Sequence, residues 1–111
     1  MGITKTSGFN NETNDLAIVF KALGHPARIA IVQYLLKQKK CICGDIVNEL
    51  PLAQATISQH LRELKSSGII NGTIEGTSIC YCLNLDLLKK LKVTIKSWIL
   101  DDNTFEEKKC C

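Results

Sequence analysis

Residues 51–66, Pro-Leu-Ala-Gln-Ala-Thr-Ile-Ser-Gln-His-Leu-Arg-Glu-Leu-Lys-Ser, are the most informative stretch of the chain. They read as the end of one short helix turning into a second. Ile57, Leu61 and Leu64 recur at i, i+4 and i+7, which places them on one buried stripe. The opposite face carries Gln54, Thr56, Ser58, Gln59, His60, Arg62 and Lys65, with no acidic residue before Glu63. Hydrogen-bonding side chains near a helix N-terminus, followed by cations that neutralise phosphate, suit a reader of the DNA major groove. An amphipathic surface helix shows the same periodicity, so the flanking sequence has to separate the two readings.

It does so on the C-terminal side. Ser67-Gly68 is a helix stop. Residues 69–74 and 77–83 are rich in β-branched and aromatic residues, and Glu75-Gly76 lies between them, which predicts a β-hairpin. A helix-turn-helix followed at once by a hairpin is the winged-helix order. The hairpin tip, Asn71 to Ser78, then reaches the DNA backbone or minor groove, with Thr73 and Gly76 as its contact candidates. The expected fold is mainly α with a β-hairpin wing.

Bulk properties agree with this reading. The chain has 111 residues, the length of one domain, and a net charge of +3 from 14 basic and 11 acidic residues, which is compatible with a DNA partner. No segment has the order of a signal peptide, and no apolar run approaches the ~18 residues of a membrane span, so a cytoplasmic location is expected. Six cysteines in that compartment point to soft-metal ligation or redox sensing rather than to a structural disulfide framework. Residues 1–12 and the charged residues 101–111 are expected to be flexible ends around a domain spanning 13–100.

Within that domain, a first helix is predicted from just after Asn11-Glu12-Thr13 to Leu23, with Leu16, Val19, Phe20 and Leu23 apolar. A second starts at His25-Pro26, since proline suits a first helical turn, and buries Ile29, Val32, Leu35 and Leu36. A third, about Gly44 to Leu50, turns Ile46, Val47 and Leu50 inward. The last runs from Asp86 to about Leu100, with Leu87, Leu88, Leu91, Ile95, Trp98 and Ile99 apolar. That is more apolar surface than one face of a small domain needs. It predicts a homodimer through the N-terminal and C-terminal helices.

Several stretches carry a family resemblance: Phe20 to Ile31 (Phe-Lys-Ala-Leu-Gly-His-Pro-Ala-Arg-Ile-Ala-Ile), Ser58 to Leu64, Ser67-Gly68-Ile69-Ile70, and the hairpin ending Cys80-Tyr81-Cys82-Leu83. Over about residues 13 to 100 the chain resembles the ArsR/SmtB family of metal- and metalloid-responsive repressors. The resemblance implies a homodimeric winged helix that binds double-stranded operator DNA and leaves it when an inducer binds. One zinc site of the family uses Asp, His and Glu of the C-terminal helix, but residues 86–102 here contain no histidine. Arsenic-responsive members carry Cys-Val-Cys with a third cysteine one turn later. This chain has Cys41-Ile42-Cys43 and lacks the third.

Residues 41–43 are better read as a short strand beside the last strand of the wing. If Ile42 faces the core, alternation turns Cys41 and Cys43 to the other face. The same logic gives Ile79, Tyr81 and Leu83 to the core and leaves Cys80 and Cys82 outward. Pairing the strands gathers Cys41, Cys43, Cys80 and Cys82, with opposed Cβ atoms ~4.5–5.5 Å apart. Thiolates select As(III), Sb(III), Cu(I), Cd or Zn over hard cations; three suit pyramidal As(III), and four suit tetrahedral Zn or Cd. The resemblance favours As(III) or Sb(III) as inducer. Cys110 and Cys111 are a further candidate pair on the tail. Reversible disulfides between opposed cysteines, giving a redox or persulfide sensor, are the alternative. A Cys-x-Cys redox enzyme would need a thioredoxin-like βαβ pattern, which is missing, and a metal-storage protein would have no use for a recognition helix. The chain is therefore expected not to be an enzyme.

Overall fold

The computed structural model describes residues 8–43, 50–76 and 78–99. In order these form α1 (Asn11–Leu23), α2 (Pro26–Gln38), β1 (Ile42–Cys43), α3 (Gln54–Ser66), β2 (Ile70–Glu75), β3 (Ser78–Leu83) and α4 (Leu85–Ile99). The helix predicted at 44–50 lies outside the described residues apart from Leu50, as do Cys110 and Cys111.

Local chemistry sets the helix ends. Asn10 accepts a 2.7 Å hydrogen bond from the Thr13 amide, so α1 starts at Asn11, inside the stretch expected to be frayed. His25 caps α2 in the same manner: its Nδ1 accepts from the Ala27 amide at 3.1 Å, and Pro26 fills the first helical position. At the far end of α3, Gly68 adopts φ +86°, the Gly68 amide bonds the Lys65 carbonyl, and the Ile69 amide bonds that of Leu64. This paired closure needs a left-handed residue, which glycine supplies without a Cβ penalty. It sends the chain directly from α3 into β2.

The sheet is antiparallel, in the order β1-β3-β2. Ile74 pairs with Ile79 and Glu75 with Ser78, so Glu75, predicted in the turn, belongs instead to the end of β2, and the turn begins at Gly76. Gly76 has φ +63°, the conformation tight hairpin loops require. Asn84 ties the base of the hairpin to both neighbours. Its side-chain amide donates to the Gly68 carbonyl at 2.9 Å, and its Oδ1 accepts from the Leu87 amide at the start of α4.

The core joins all the elements through Val19 and Ala22, Ile31, Val32 and Leu35, Ile42, Ile57, Leu61 and Leu64, Ile69, Ile70 and Leu91. Tyr81 and Leu83 pack against it as predicted. Three expectations for core residues are corrected. Ile29 and Leu36 on α2 are exposed, and Ile31 joins Val32 and Leu35 on the inward side, because the buried stripe of α2 is turned by about a quarter turn from the assumed one. Phe20 is partly exposed and lies beside Trp98, with ring centroids 6.2 Å apart. Ile79 is 45% exposed, since it pairs with Ile74 near the hairpin tip, beyond the reach of β1.

Candidate nucleic-acid interface and cysteine pairs

Helix α3 buries Ile57, His60, Leu61 and Leu64 and leaves Gln54, Thr56, Gln59, Arg62 and Lys65 exposed, with Ser58 half-buried. Six of the seven polar side chains predicted for the outer face are therefore available to a partner. Ala53 at the N-cap provides no side-chain acceptor for the first-turn amides of α3, and this helix end lies beside Gln54 and Thr56. Thr73 and Gly76 are exposed on the hairpin. The Lys65 side chain leans over the wing base, its Nζ 3.4 Å from where a Cβ on Gly72 would stand. A Cβ at position 72 would stand in ordinary van der Waals contact with this flexible side chain.

His60 is the correction. It is only 8% exposed and faces inward rather than toward a partner. Its Nδ1 accepts a 3.1 Å hydrogen bond from Arg28 Nε, and Arg28 Nη1 donates to the Ala22 carbonyl at 3.3 Å. Arg28 thus bolts α3 and the end of α1 to α2. The signal was present in the sequence: positions 57, 60, 61 and 64 share the i, i+3, i+4, i+7 stripe. Because a guanidinium only donates, Nδ1 must be the unprotonated nitrogen of a neutral ring. Burial lowers the His60 pKa below its ordinary value, and the nearby His25, with ring centroids 4.4 Å apart, and the Arg28 charge act in the same direction.

The consequence for stability has a definite sign. A histidine whose folded pKa is depressed takes up its proton more readily in the unfolded chain. Its contribution is fully present above about pH 6.5, the ordinary histidine value, and is lost as pH falls through the lower folded value. Thermal melts between pH 8 and 5 should show wild-type Tm dropping more steeply than that of His60→Gln. Parallel curves for the two proteins would remove this role.

The strands place the cysteines in two opposed positions. Cys43 is the Cα partner of Cys80, and Cys41, two residues before Cys43, is bonded to Cys82 as a disulfide with a Cα–Cα distance of 4.4 Å. Cross-strand pairing of the two Cys-x-Cys segments is as predicted, but the free thiolates expected there are not what the structure holds. Cys80 is disulfide-bonded as well. It is also 2% exposed rather than outward, because β3 is the middle strand and Cys80 has a paired residue on each side, Cys43 and Thr73. Cys41 is exposed and Cys82 half-buried. Among the described residues, no group of three or more His, Cys, Asp or Glu could hold a metal ion.

The family model for bacterial regulatory proteins of the arsR family matches residues 25–72, from the cap of α2 to the first half of the wing. An HTH-type transcriptional regulator of Methanocaldococcus jannaschii is 40% identical over 76 residues, covering 68% of this chain and 84% of that protein. The chain belongs to the ArsR/SmtB family. A cadmium resistance transcriptional regulatory protein CadC homolog of Staphylococcus aureus is 40% identical over 78 residues, 69% of this chain and 64% of the relative. An ArsR-like transcriptional regulator from Rhodococcus sp. RHA1 superposes with a TM-score of 0.69 at 25% identity, covering 79% of this chain and 82% of that one. This ArsR-family chain is accordingly a DNA-binding transcriptional regulator and not an enzyme. No helix among the described residues is long and apolar enough to cross a membrane.

For base readout, the exposed face of α3 makes a differential prediction. Gln59→Ala should weaken binding to a specific duplex by about 1–3 kcal/mol and relax sequence preference. Lys65→Ala should weaken binding to all duplexes and lower the salt slope by about one. Equal losses on specific and random DNA for Gln59→Ala, measured by fluorescence anisotropy, would exclude base contact by this residue.

Proposed function

We propose that this chain is a homodimeric repressor that reads operator DNA with Gln54, Thr56, Ser58, Gln59, Arg62 and Lys65 of α3 and with Thr73 and Gly76 of the wing. A thiophilic ion taken up by the reduced cysteines of β1 and β3 releases it. The single observation that carries the sensing half is the approach of Cys41 and Cys82 to bonding distance, next to the Cys43–Cys80 register pair. On reduction, this arrangement offers thiolates from both strands to one ion. Three of them suit As(III) or Sb(III), the inducers the family resemblance favours, and four suit Cd or Zn. The cadmium-resistance relative supports the soft-ion class. Cys110 and Cys111 are secondary candidates.

The dimer half rests on unpartnered apolar surface. A groove of about 920 Å³ between α1 and α4 is lined by Leu16, Ile18, Val19, Leu87, Leu91 and Val93, with Glu12 and Asp15 on one rim and Lys89 and Lys90 on the other. Two copies meeting about a two-fold axis would bury the apolar strip and oppose the acidic rim of one to the basic rim of the other. They would also present two α3 helices to half-sites about 34 Å apart.

The test follows the ion and the DNA together. Arsenite, Cd(II) and Zn(II) are titrated separately into reduced full-length protein bound to a fluorescent duplex selected by the protein from random sequence. Release is expected with wild type, and lost with Cys41→Ser, Cys43→Ser and the Cys80→Ser, Cys82→Ser double variant, each retaining duplex affinity within about threefold. Deleting residues 110–111 should leave release intact. Release that survives the strand variants but disappears with the tail deletion would move the sensor to the C-terminus.

A further inference from the structure

The disulfide between Cys41 and Cys82 coexists with a complete DNA-reading face. In the same structure Ile57, Leu61 and Leu64 of α3 are buried, the Gly68 closure of α3 is formed, and β2 and β3 keep an unbroken register from Ile70–Leu83 to Glu75–Ser78. The bond also lies within an existing strand pair, where Ile42 already opposes Tyr81 and Cys43 opposes Cys80. Joining the two sulfurs therefore requires no rearrangement of α3 or the wing. It does consume two of the thiols proposed as ligands, and with Cys80 disulfide-bonded as well at least three of the four are withdrawn, since a disulfide offers no thiolate to a soft ion. We infer that Cys41 and Cys82 form an oxidation site that gates the sensor: the oxidised protein still binds its operator but no longer responds to the ion. This rests on the reading of the cysteines as the effector site.

Exposure assigns the steps. Cys41 is exposed and Cys82 half-buried, so the Cys41 thiolate meets a hydroperoxide first. Its sulfur attacks one peroxide oxygen; an S–O bond forms, the O–O bond breaks, and the departing oxygen leaves as water, or as an alcohol from an organic peroxide, after taking a proton. The Cys82 thiolate then attacks the sulfenic sulfur of Cys41. The S–S bond forms, the S–O bond breaks, and hydroxide leaves as water after protonation. The two thiols lose two electrons and two protons, and the peroxide is reduced by the same two electrons. A dithiol reductant reverses the result by exchange.

The experiment uses full-length protein, reduced or treated with hydrogen peroxide, with Cd(II) and arsenite as probes and the selected duplex as reporter. Peptide mapping of the peroxide-treated protein should find Cys41 linked to Cys82. Its duplex affinity should lie within about twofold of the reduced form, both ions should fail to release it, and dithiothreitol should restore release. A protein carrying Cys110→Ser and Cys111→Ser should behave identically, which separates this pair from the tail. Oxidised protein that responds to the ions as the reduced protein does overturns the gate alone, as does oxidised protein that loses the duplex by more than tenfold without any ion. Reduced protein that ignores both ions overturns the effector reading and the gate with it.

Discussion

Val93→Asp is expected to yield a folded monomer that binds its operator about 10²–10⁴-fold more weakly than wild type, the range by which joining two binding modules raises avidity. Val93 is 68% exposed on α4 and lines the groove shared with α1, so its own subunit depends little on it. In a dimer closed over that groove, a carboxylate here would be desolvated without a partner, and the interface would fail. Leu91, which the apolar pattern offers equally as a dimer residue, is the wrong position to test, because it is 7% exposed and belongs to the subunit's own core. Sedimentation and duplex titration of the same samples check the prediction. A Val93→Asp protein that still sediments as a dimer with unchanged affinity would place the interface elsewhere.

Reduction of the Cys41–Cys82 bond should be nearly as consequential for stability. The bond closes a loop with a sequence separation of 41 that contains α3 and β2. In the chain-entropy account, a loop of this length restricts the unfolded state by about 4 kcal/mol. For a domain of this size that corresponds to a fall in Tm of roughly 15 °C or more on adding reductant. Calorimetry of oxidised wild type with and without dithiothreitol measures this loss together with that of the bond at Cys80. The Cys41→Ser, Cys82→Ser double variant should melt near the reduced wild type when both are measured in dithiothreitol, which also opens the bond at Cys80. Oxidised and reduced wild type that melted together would show that the cross-link restrains nothing the unfolded chain would otherwise explore.

Arg28 is a cation spent inside the fold. Its guanidinium is committed to His60 Nδ1 and the Ala22 carbonyl, which fixes α3 against α2 and the end of α1. The angle at which Gln59 and Arg62 are presented thus depends on a residue 32 positions away from His60.

The local signals in the sequence were sufficient for the architecture. Pro26 at a first turn, Gly68 at a helix exit and a glycine at the hairpin turn each answer a backbone requirement within a few residues, so the order of elements follows without knowledge of the rest, while the Asn10 cap lay in a stretch expected to fray and the start of α1 was missed. The stripe of Ile57, Leu61 and Leu64 and the opposed Cys-x-Cys segments were legible for the same reason: helix and strand periods are local properties. Tertiary packing decided what periodicity leaves open. It chose which of several apolar positions on α2 faces inward, turned His60 from a surface candidate into a buried acceptor, and placed Cys80 in a middle strand where both neighbours cover it. It also selected Cys82 as the bonded partner of Cys41, where strand alternation gathered four candidate thiols without choosing between them. A side chain's burial and bonding depend on partners supplied by distant segments, and those partners exist only once the chain has folded.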